Sequence, residues 1–122
     1  LTSELEDPNS EFYLAQLDDK IVGYLKLNTA AAQTVIQDDN ALEIERMYVW
    51  QALQGQKIGQ TLFDKAIAIG QQKQMHYIWL GVWEHNHSAI QFYHKNGFVA
   101  FDQHIFQLGE DAQTDIMMKR EL

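Results

Sequence analysis

The sequence predicts an α+β domain in which strands open and close the chain, while two helices alternate with strands in the middle. Three observations indicate this class: hairpin-like strand pairs at both ends, two segments with helical spacing between them, and a short run that is apolar on both alternating faces. The chain has 122 residues, which suits one domain over residues 1–122 with a single core. The predicted element order is β-β-β-α-β-α-β-β.

The first two strands are predicted at residues 12–17 and 20–27, and Asp18-Asp19 joins them as a hairpin turn. The segment that follows, residues 29–40, reads TAAAQTVIQDDN. It fits either a short helix or a loop, and both interpretations stay open.

The third strand is predicted at residues 41–50, with Ile44, Met47 and Val49 as its inward-facing residues. Side chains of a regular strand alternate between its two faces, so residues 44 and 47 share a face only if the chain gains one residue between them. The sequence therefore predicts a β-bulge between Ile44 and Met47.

Two helices follow from spacing and from end signals. The first is predicted from about residue 56 to about residue 74, because apolar residues recur there at helical spacing: Ile58, Leu62, Ala66 and Ile69. Ser88 followed by Gln91 matches a capping box that opens the second helix, and Asn96-Gly97 closes it.

The remaining strands surround the second helix. Residues 77–83, YIWLGVW, are apolar on both alternating faces, which is typical of a strand covered from two sides. The chain ends in a long predicted hairpin, residues 98–109 and 113–122, around a polar turn at Glu110-Asp111.

The composition excludes several classes of function. Without cysteine, the chain has no disulfide, no thiolate nucleophile and no cysteine-type zinc site. A net charge of −8 argues against a nucleic-acid partner, which rewards clustered Lys and Arg, and it suits either a cationic substrate or simple solubility. No apolar run approaches the roughly 20 residues of a membrane span, so no membrane partner is predicted. We expect a cytoplasmic protein, either a monomer or a homodimer.

The segment between the third strand and the first helix is a candidate anion site. It reads Gln54-Gly55-Gln56-Lys57-Ile58-Gly59. Backbone N–H groups at a helix N-terminus carry the positive end of the helix dipole and bind phosphates. The two glycines allow a bulky anion to approach the backbone, and Lys57 adds charge. A plain turn ahead of a helix is the alternative.

A second candidate segment begins at Asn86, directly after the apolar strand. Tyr93 lies four residues after Ala89 on the second helix and just ahead of Gly97-Phe98. A tyrosine hydroxyl there can donate a proton to a leaving group, although a half-buried packing residue is the alternative. The HNH triplet at residues 85–87 has no Cys or Asp to complete a ligand set, so no metal is predicted.

In this order and at this separation, the two segments resemble the signature of the GNAT superfamily of N-acetyltransferases. That family reads Q/R-x-x-G-x-G/A before its central helix, then an asparagine and a tyrosine just ahead of a Gly-Phe pair. Gln54 and Gly59 match the ends of the first motif, whereas Lys57 stands where glycine is usual. The stretches LEIERMYV, WLGVWEHNHSAIQFY, GFVAFDQHIFQLG and QTDIMMK look like the PaiA-like branch, bacterial enzymes that acetylate spermidine and spermine.

The resemblance covers about residues 12–122 and implies the GNAT acyl-CoA N-acyltransferase fold, a mixed, mostly antiparallel central sheet flanked by helices. The usual N-terminal strand and paired helices of that fold would lie upstream of this sequence. Acetyl-CoA is the implied co-substrate, and the implied acceptor is a small-molecule primary amine, foremost a polyamine. A catalytically silent acyl-CoA-binding or regulatory module, and a GNAT that acts on a peptide or protein amine, remain alternatives.

The resemblance also implies which residues bind the coenzyme. Backbone groups of Met47 and Val49 would pair with the pantetheine arm as an added strand would. Asn86 would bind the coenzyme where the two central strands splay, and Lys95 would reach its far end. The loop implied to hold the pyrophosphate comprises Gln54, Gly55, Gln56, Lys57, Ile58, Gly59 and Gln60.

For the chemical step, the resemblance implies an acid and a base. Tyr93 is the expected general acid toward the departing thiolate. A carboxylate on the bulged strand, acting through water, is the expected base toward the acceptor ammonium. Glu45 is the first choice because it lies nine residues before Gln54, as in polyamine-acetylating relatives, and Glu43 is the second.

Overall fold

The computed structural model describes residues 8–49 and 57–122, with the backbone alone at Leu17. The strands and α-helices within these residues follow the predicted order: β1 (Ser10–Leu17), β2 (Lys20–Asn28), β3 (Ala41–Val49), α1 (Ile58–Gln72), β4 (Tyr77–Trp83), α2 (His87–Lys95), β5 (Val99–Leu108) and β6 (Asp111–Glu121). The sequence fits either a short helix or a loop at residues 29–40. The structure shows a loop there, with one 3-10 turn at Ala30–Ala32.

The described residues form two compact units. The first runs to Ile78 and includes Leu122, and the second is Trp79–Glu121. The strands of this mixed sheet have the order β1-β2-β3 in the first unit and β4-β6-β5 in the second, where β4 counts from Trp79 onward. No helix in residues 8–49 and 57–122 is long and apolar enough to cross a membrane.

β1 and β2 form the predicted hairpin around Asp18-Asp19. Both aspartates have positive φ angles, 52° and 65°. A type I′ turn, which matches the twist of a hairpin, needs positive φ at both central positions, and Asp is one of the few residues besides glycine that adopt it readily.

The predicted bulge in β3 is confirmed. β2 and β3 pair antiparallel, with Leu25 opposite Met47 and Leu27 opposite Ile44, so that two steps along β2 span three steps along β3. Glu45 is the additional residue, since the residue after it pairs with the next position of β2. The extra residue keeps Ile44 and Met47 on the same face of the strand.

Helix α1 packs on β2 and β3 and buries one side of its surface. Gly23 on β2 marks a close approach, because a Cβ there would lie 2.6 Å from the Tyr48 carbonyl oxygen and 3.3 Å from Leu62 Cδ1. The buried residues of the helix are Leu62, Phe63, Ala66, Ile67, Ile69 and Gly70.

Burial along β3 differs in part from the sequence prediction. Ile44 is buried, but Met47 and Val49 are only half-buried, and the strand is most buried at its start, where Glu43 is 3% exposed. Period-2 alternation does not show that the first residues of β3 are covered on both faces. The interior position of Glu43 was therefore missed.

The second unit contains most of β4, the helix α2 and the final hairpin. Along β4, Trp79, Leu80 and Val82 are buried, in keeping with the prediction of a covered strand. β5 and β6 pair antiparallel, and their turn is Gly109-Glu110 rather than the predicted Glu110-Asp111, because Asp111 already pairs with Leu108.

Candidate active site

Glu43 lies on β3 inside a polar cluster of the first unit, which comprises Lys26, Asn28, Thr34, Glu43 and Glu45. Its carboxylate accepts hydrogen bonds from the Asn28 side-chain amide at 3.0 Å, from the Thr34 backbone N–H at 2.9 Å and from the Thr34 hydroxyl at 2.5 Å. A buried carboxylate needs such donors, because an unpaired one would cost several kcal/mol. These contacts give Glu43 a structural task, which is to fasten the loop at residues 29–40 to β3.

Glu45 is the bulge residue, and its side chain is 18% exposed. Its Oε1 lies 2.9 Å from Lys26 Nζ and accepts a hydrogen bond from Asn28 Nδ2 at 2.7 Å. Its Oε2 lies 3.3 Å from an Arg46 guanidinium nitrogen. Of the two candidate bases, Glu45 is the more accessible to water.

Two members of this cluster were missed by the sequence analysis. Lys26 is 4% exposed and Asn28 is completely buried, although both belong to a strand treated as ordinary sheet. The available signal was the run KIVGYLKLN, where two polar residues alternate with apolar ones near the end of the strand. Polar side chains at such positions are unusual in a core unless they serve as partners.

The start of α1 has the features of an anion-binding helix end. Lys57 is the N-cap residue, its side chain makes no capping hydrogen bond, and the first turn has no acidic residue. Helix geometry leaves the first-turn N–H groups without an acceptor inside the helix, and the helix dipole makes this end positive. A lysine here adds to that positive charge. Gln54, Gly55 and Gln56 lie outside the described residues.

The backbone conformation of Lys57 explains why glycine is usual at this position of the family motif. Its φ of 63° and ψ of 15° place it in the left-handed region. L-residues other than Asn and Asp adopt that region at a cost of about 1–2 kcal/mol, whereas glycine does so freely. The usual glycine at this motif position is therefore suited to the backbone conformation.

The backbone at Gly59 is unstrained. It lies in the first turn of α1 and is absent from the positive-φ residues. A Cβ there would lie 3.7 Å from Val49 Cγ2, an ordinary van der Waals contact. Ile58 and Gln60 flank it in the same turn, and Gln60 donates a hydrogen bond from its side-chain amide to Asp64 at 2.9 Å.

In the second unit, Asn86 rather than Ser88 caps α2. The Asn86 Oδ1 accepts the backbone N–H of Ala89 at 3.3 Å, and the helix begins at His87. The predicted capping box is wrong because Asn caps helices as well as Ser does, and the asparagine comes two residues earlier. Asn86 is exposed.

Tyr93 lies on α2 between two aromatic rings. Its ring centroid is 5.6 Å from that of Phe92 and 6.0 Å from that of Phe98. Burial raises the pKa of the Tyr93 phenol, because the apolar surroundings disfavour the phenolate. The phenol is therefore protonated at neutral pH, as a proton donor must be.

The end of α2 agrees with the sequence analysis. Gly97 has a φ of 92° and donates its backbone N–H to His94 at 3.0 Å, which is the expected glycine C-terminus. Lys95 is exposed in the last turn, where a cation interacts favourably with the helix dipole.

Among the residues that the structure describes, no group of three or more His, Asp or Glu is arranged to hold a metal ion.

Comparison with known sequences supports the motif assignment. The profile of the acetyltransferase (GNAT) family matches residues 1–98. The chain is 42% identical over its whole length to the uncharacterised N-acetyltransferase in the pepI 3′ region of Lactobacillus delbrueckii subsp. lactis, and it spans 70% of that protein.

Solved structures agree with the sequence matches. The PaiA N-acetyltransferase from Thermoplasma acidophilum in complex with coenzyme A is 27% identical, with a TM-score of 0.73 over 93% of this chain and 62% of that one. A GNAT family acetyltransferase from Elizabethkingia anophelis with acetyl-CoA bound is 21% identical, with a TM-score of 0.78 over 99% of this chain and 80% of that one. Acetyl-CoA is accordingly the co-substrate to be expected. The profile match and the 42% identity show that this chain belongs to the acetyltransferase (GNAT) family.

Proposed function

We propose that this chain transfers the acetyl group of acetyl-CoA to a primary amine, and that the acceptor is a polyamine such as spermidine or spermine. The observation that carries the first part is the start of α1, a helix end with a lysine cap and no acidic residue in its first turn. Such an end favours phosphate oxygens, and related acetyltransferases have been solved with coenzyme A or acetyl-CoA, which carry phosphates.

The proposed coenzyme contacts lie on separate segments. Residues 54–60 bind the pyrophosphate through backbone N–H groups, and Lys57 adds its charge. Met47 and Val49 offer backbone groups to the pantetheine arm. Asn86 contributes its side-chain amide, and Lys95 reaches the far end of the coenzyme.

The proposed chemistry needs one proton acceptor and one proton donor. An alkyl ammonium with a pKa near 10 must lose a proton before its nitrogen can attack a thioester, and Glu45 takes that proton through a water molecule. Backbone N–H groups near Met47 stabilise the negative charge that grows on the carbonyl oxygen. Tyr93 gives its phenol proton to the departing thiolate.

Two observations of unequal weight support a polyamine as acceptor. The chain resembles a protein named a PaiA N-acetyltransferase at 27% identity, and its net charge is −8. A multiply charged cation gains long-range attraction toward an acidic protein, and salt screens that attraction with a Debye length of about 8 Å at physiological strength.

Two measurements test the proposal. Calorimetry with acetyl-CoA should show binding, and an acetyl-transfer assay should rank spermidine, spermine, monoamines, aminoglycosides and peptide N-termini as acceptors. We expect kcat/KM for spermidine to exceed that for a monoamine of similar length, and the gap to narrow as salt rises. A preference for neutral acceptors, or a ratio that salt does not change, would overturn the polyamine assignment. Absence of transfer to every amine would overturn the enzymatic one.

A further inference from the structure

We infer that Lys26 is a positioning residue for acetyl transfer: it fixes one oxygen of the Glu45 carboxylate and leaves the other oxygen to meet the acceptor amine. The inference rests on the proposed function, because it gives Lys26 a task that matters only if Glu45 handles the amine proton. Three features of the first unit carry it: the burial of Lys26, the unequal surroundings of the two carboxylate oxygens, and the bulge.

Lys26 is a buried cation on β2, the strand between β1 and β3. It is 4% exposed, and it lies between Leu25 and Leu27, which are buried in the core. Its ammonium lies 2.9 Å from Glu45 Oε1 and 5.5 Å from the centroid of the Phe12 ring. A buried ammonium costs free energy that an apolar residue at the same place would not, so its position beside a carboxylate calls for a reason other than packing.

The two oxygens of Glu45 have different kinds of partner. Oε1 is held by Lys26 at 2.9 Å and by Asn28 Nδ2 at 2.7 Å, and both donors are buried residues of β2. Oε2 faces Arg46 at 3.3 Å, and that side chain is 41% exposed. An exposed ion pair of this kind is weak and exchanges readily with solvent. An acceptor ammonium, or the water that relays its proton, can replace the guanidinium at Oε2 while Oε1 stays fixed.

The bulge makes this fixation necessary. A bulge residue is not paired in the strand ladder, so its side-chain direction is set by neighbours rather than by the sheet alone. Among the residues that the structure describes, the charged groups at Glu45 are Lys26 on β2, together with Arg46 and Glu43 on β3. Glu43 shares the Asn28 amide at 3.0 Å. The Asn28 amide has two N–H donors and bonds both carboxylates. Without the Lys26 charge, the repulsion between the two carboxylates would turn Glu45 away.

The test compares acetyl transfer by Lys26→Met, Lys26→Arg and the unaltered protein at several pH values. At neutral pH, Lys26→Met should lower kcat/KM for the amine about 10²-fold, as expected when a catalytic group is misplaced by about 1 Å. Lys26→Arg, which keeps the charge, should retain most of the activity. The loss of kcat/KM in Lys26→Met, relative to the unaltered protein, should become smaller toward about pH 10, where the acceptor is already a free amine.

A double-mutant comparison separates positioning from a general structural effect. If Lys26 acts through Glu45, then adding Lys26→Met to Glu45→Gln should cause no further loss of kcat/KM. This pair of variants also serves if Lys26→Met alone does not fold, because the double variant removes both charges together. Lys73→Met is the matched control, since it removes another Lys–Glu pair of 2.9 Å, with Glu11, and it should leave activity unchanged.

The outcomes distinguish the two proposals. An active unaltered protein whose Lys26→Met variant matches it at neutral pH would overturn the positioning role and leave the acetyltransferase proposal standing. A loss that is equal at every pH, or that adds fully to the loss from Glu45→Gln, would also overturn it. An unaltered protein that acetylates no amine would overturn both.

Discussion

Thr34 gives two hydrogen bonds to the Glu43 carboxylate, one from its backbone N–H at 2.9 Å and one from its hydroxyl at 2.5 Å. A residue in the middle of a loop is thereby tied to the buried start of a strand. These two bonds occupy both carboxylate oxygens of Glu43, and Asn28 adds a third donor to Oε1 at 3.0 Å. Hydrogen bonds to a charged group stabilise a fold more than neutral ones do. These bonds therefore hold the loop at residues 29–40 against β3.

The first prediction is that Glu43→Gln lowers the free energy of unfolding by about 1.5–3 kcal/mol, the usual value of hydrogen bonds to a buried charge. The amide of Gln offers one acceptor atom where the carboxylate offers two. Urea unfolding followed by circular dichroism would measure the change. Glu110→Gln, in an exposed turn, is the control and should stay within about 0.5 kcal/mol of the unaltered protein. Equal stability of Glu43→Gln and this control would contradict the fastening role.

The second prediction concerns the left-handed conformation of Lys57. Lys57→Gly should be more stable than Lys57→Ala by about 1 kcal/mol, because glycine adopts a φ of 63° without the strain that any Cβ brings. Both variants remove the charge, so the difference between their urea midpoints isolates the backbone contribution. Equal midpoints would mean that the surrounding loop relaxes. Both variants should bind acetyl-CoA more weakly than the unaltered protein.

The third prediction separates ligand approach from backbone strain at Gly59. Because the one contact that a Cβ there makes with the described residues is an ordinary one, 3.7 Å from Val49 Cγ2, Gly59→Ala should fold at least as well as the unaltered protein. Gly59→Val should weaken acetyl-CoA binding by about 2 kcal/mol or more, since a branched side chain blocks the approach of the pyrophosphate. Calorimetry on folded variants would measure this. Unchanged coenzyme affinity in Gly59→Val would remove Gly59 from the coenzyme site.

The fourth prediction is that Tyr93→Phe lowers kcat by about 10²–10⁴-fold with little change in acetyl-CoA affinity, because only the hydroxyl is removed. Burial raises the pKa of the phenol, so loss of activity through its ionisation should begin only above about pH 10. Tyr77→Phe, whose hydroxyl donates to Asp38, is the control. A loss of less than about threefold would assign Tyr93 to packing alone.

The fifth prediction concerns a pair on β1. Tyr13 donates its hydroxyl hydrogen to Glu11 at 2.6 Å. This hydrogen bond is the largest cause that lowers the pKa of Glu11, while burial and then the bond to Glu11 raise the pKa of Tyr13 to about 12. The Tyr13 contribution to stability is therefore present below pH 10 and lost as pH rises toward 12. The Glu11 contribution is present above its ordinary pKa and lost as pH falls below it.

Tyr13→Phe should remove the alkaline dependence and weaken the acidic one, because Lys73 and Lys65 also lower the pKa of Glu11. Because the pair is near the surface, each should amount to less than about 1 kcal/mol. Urea midpoints of Tyr13→Phe and the unaltered protein, measured at acidic, neutral and strongly alkaline pH, would show the difference. Parallel curves at all three pH values would contradict the assignment.

Local patterns predicted most of the fold. Helical spacing located α1, the paired aspartates located the first turn, and a change of parity between Ile44 and Met47 located the bulge. These features depend on neighbours in the sequence, so a sequence contains the information directly. The cap of α2 was misplaced from Asn86 to Ser88 because both residues cap helices and only the backbone angles decide between them.

The polar cluster was predicted less completely. Glu43 and Glu45 were identified as candidates, but their partners Lys26, Asn28 and Thr34 were not. Those partners lie on another strand and on a loop. Which residues of two strands meet depends on their pairing register, and the sequence of one strand alone does not determine that register. The left-handed backbone at Lys57 was missed for a different reason, since lysine is a residue that ordinarily avoids that conformation.

The unpaired position of Glu45 has a consequence for how the protein tolerates insertions and deletions. Exchanging its side chain leaves the ladder between β2 and β3 intact. Deleting the residue would leave Ile44 and Met47 two positions apart, so that regular alternation would keep both on the same face, opposite Leu27 and Leu25. The register between β2 and β3 therefore tolerates both exchange and loss of this residue, and what a deletion would remove is the bulge and its carboxylate.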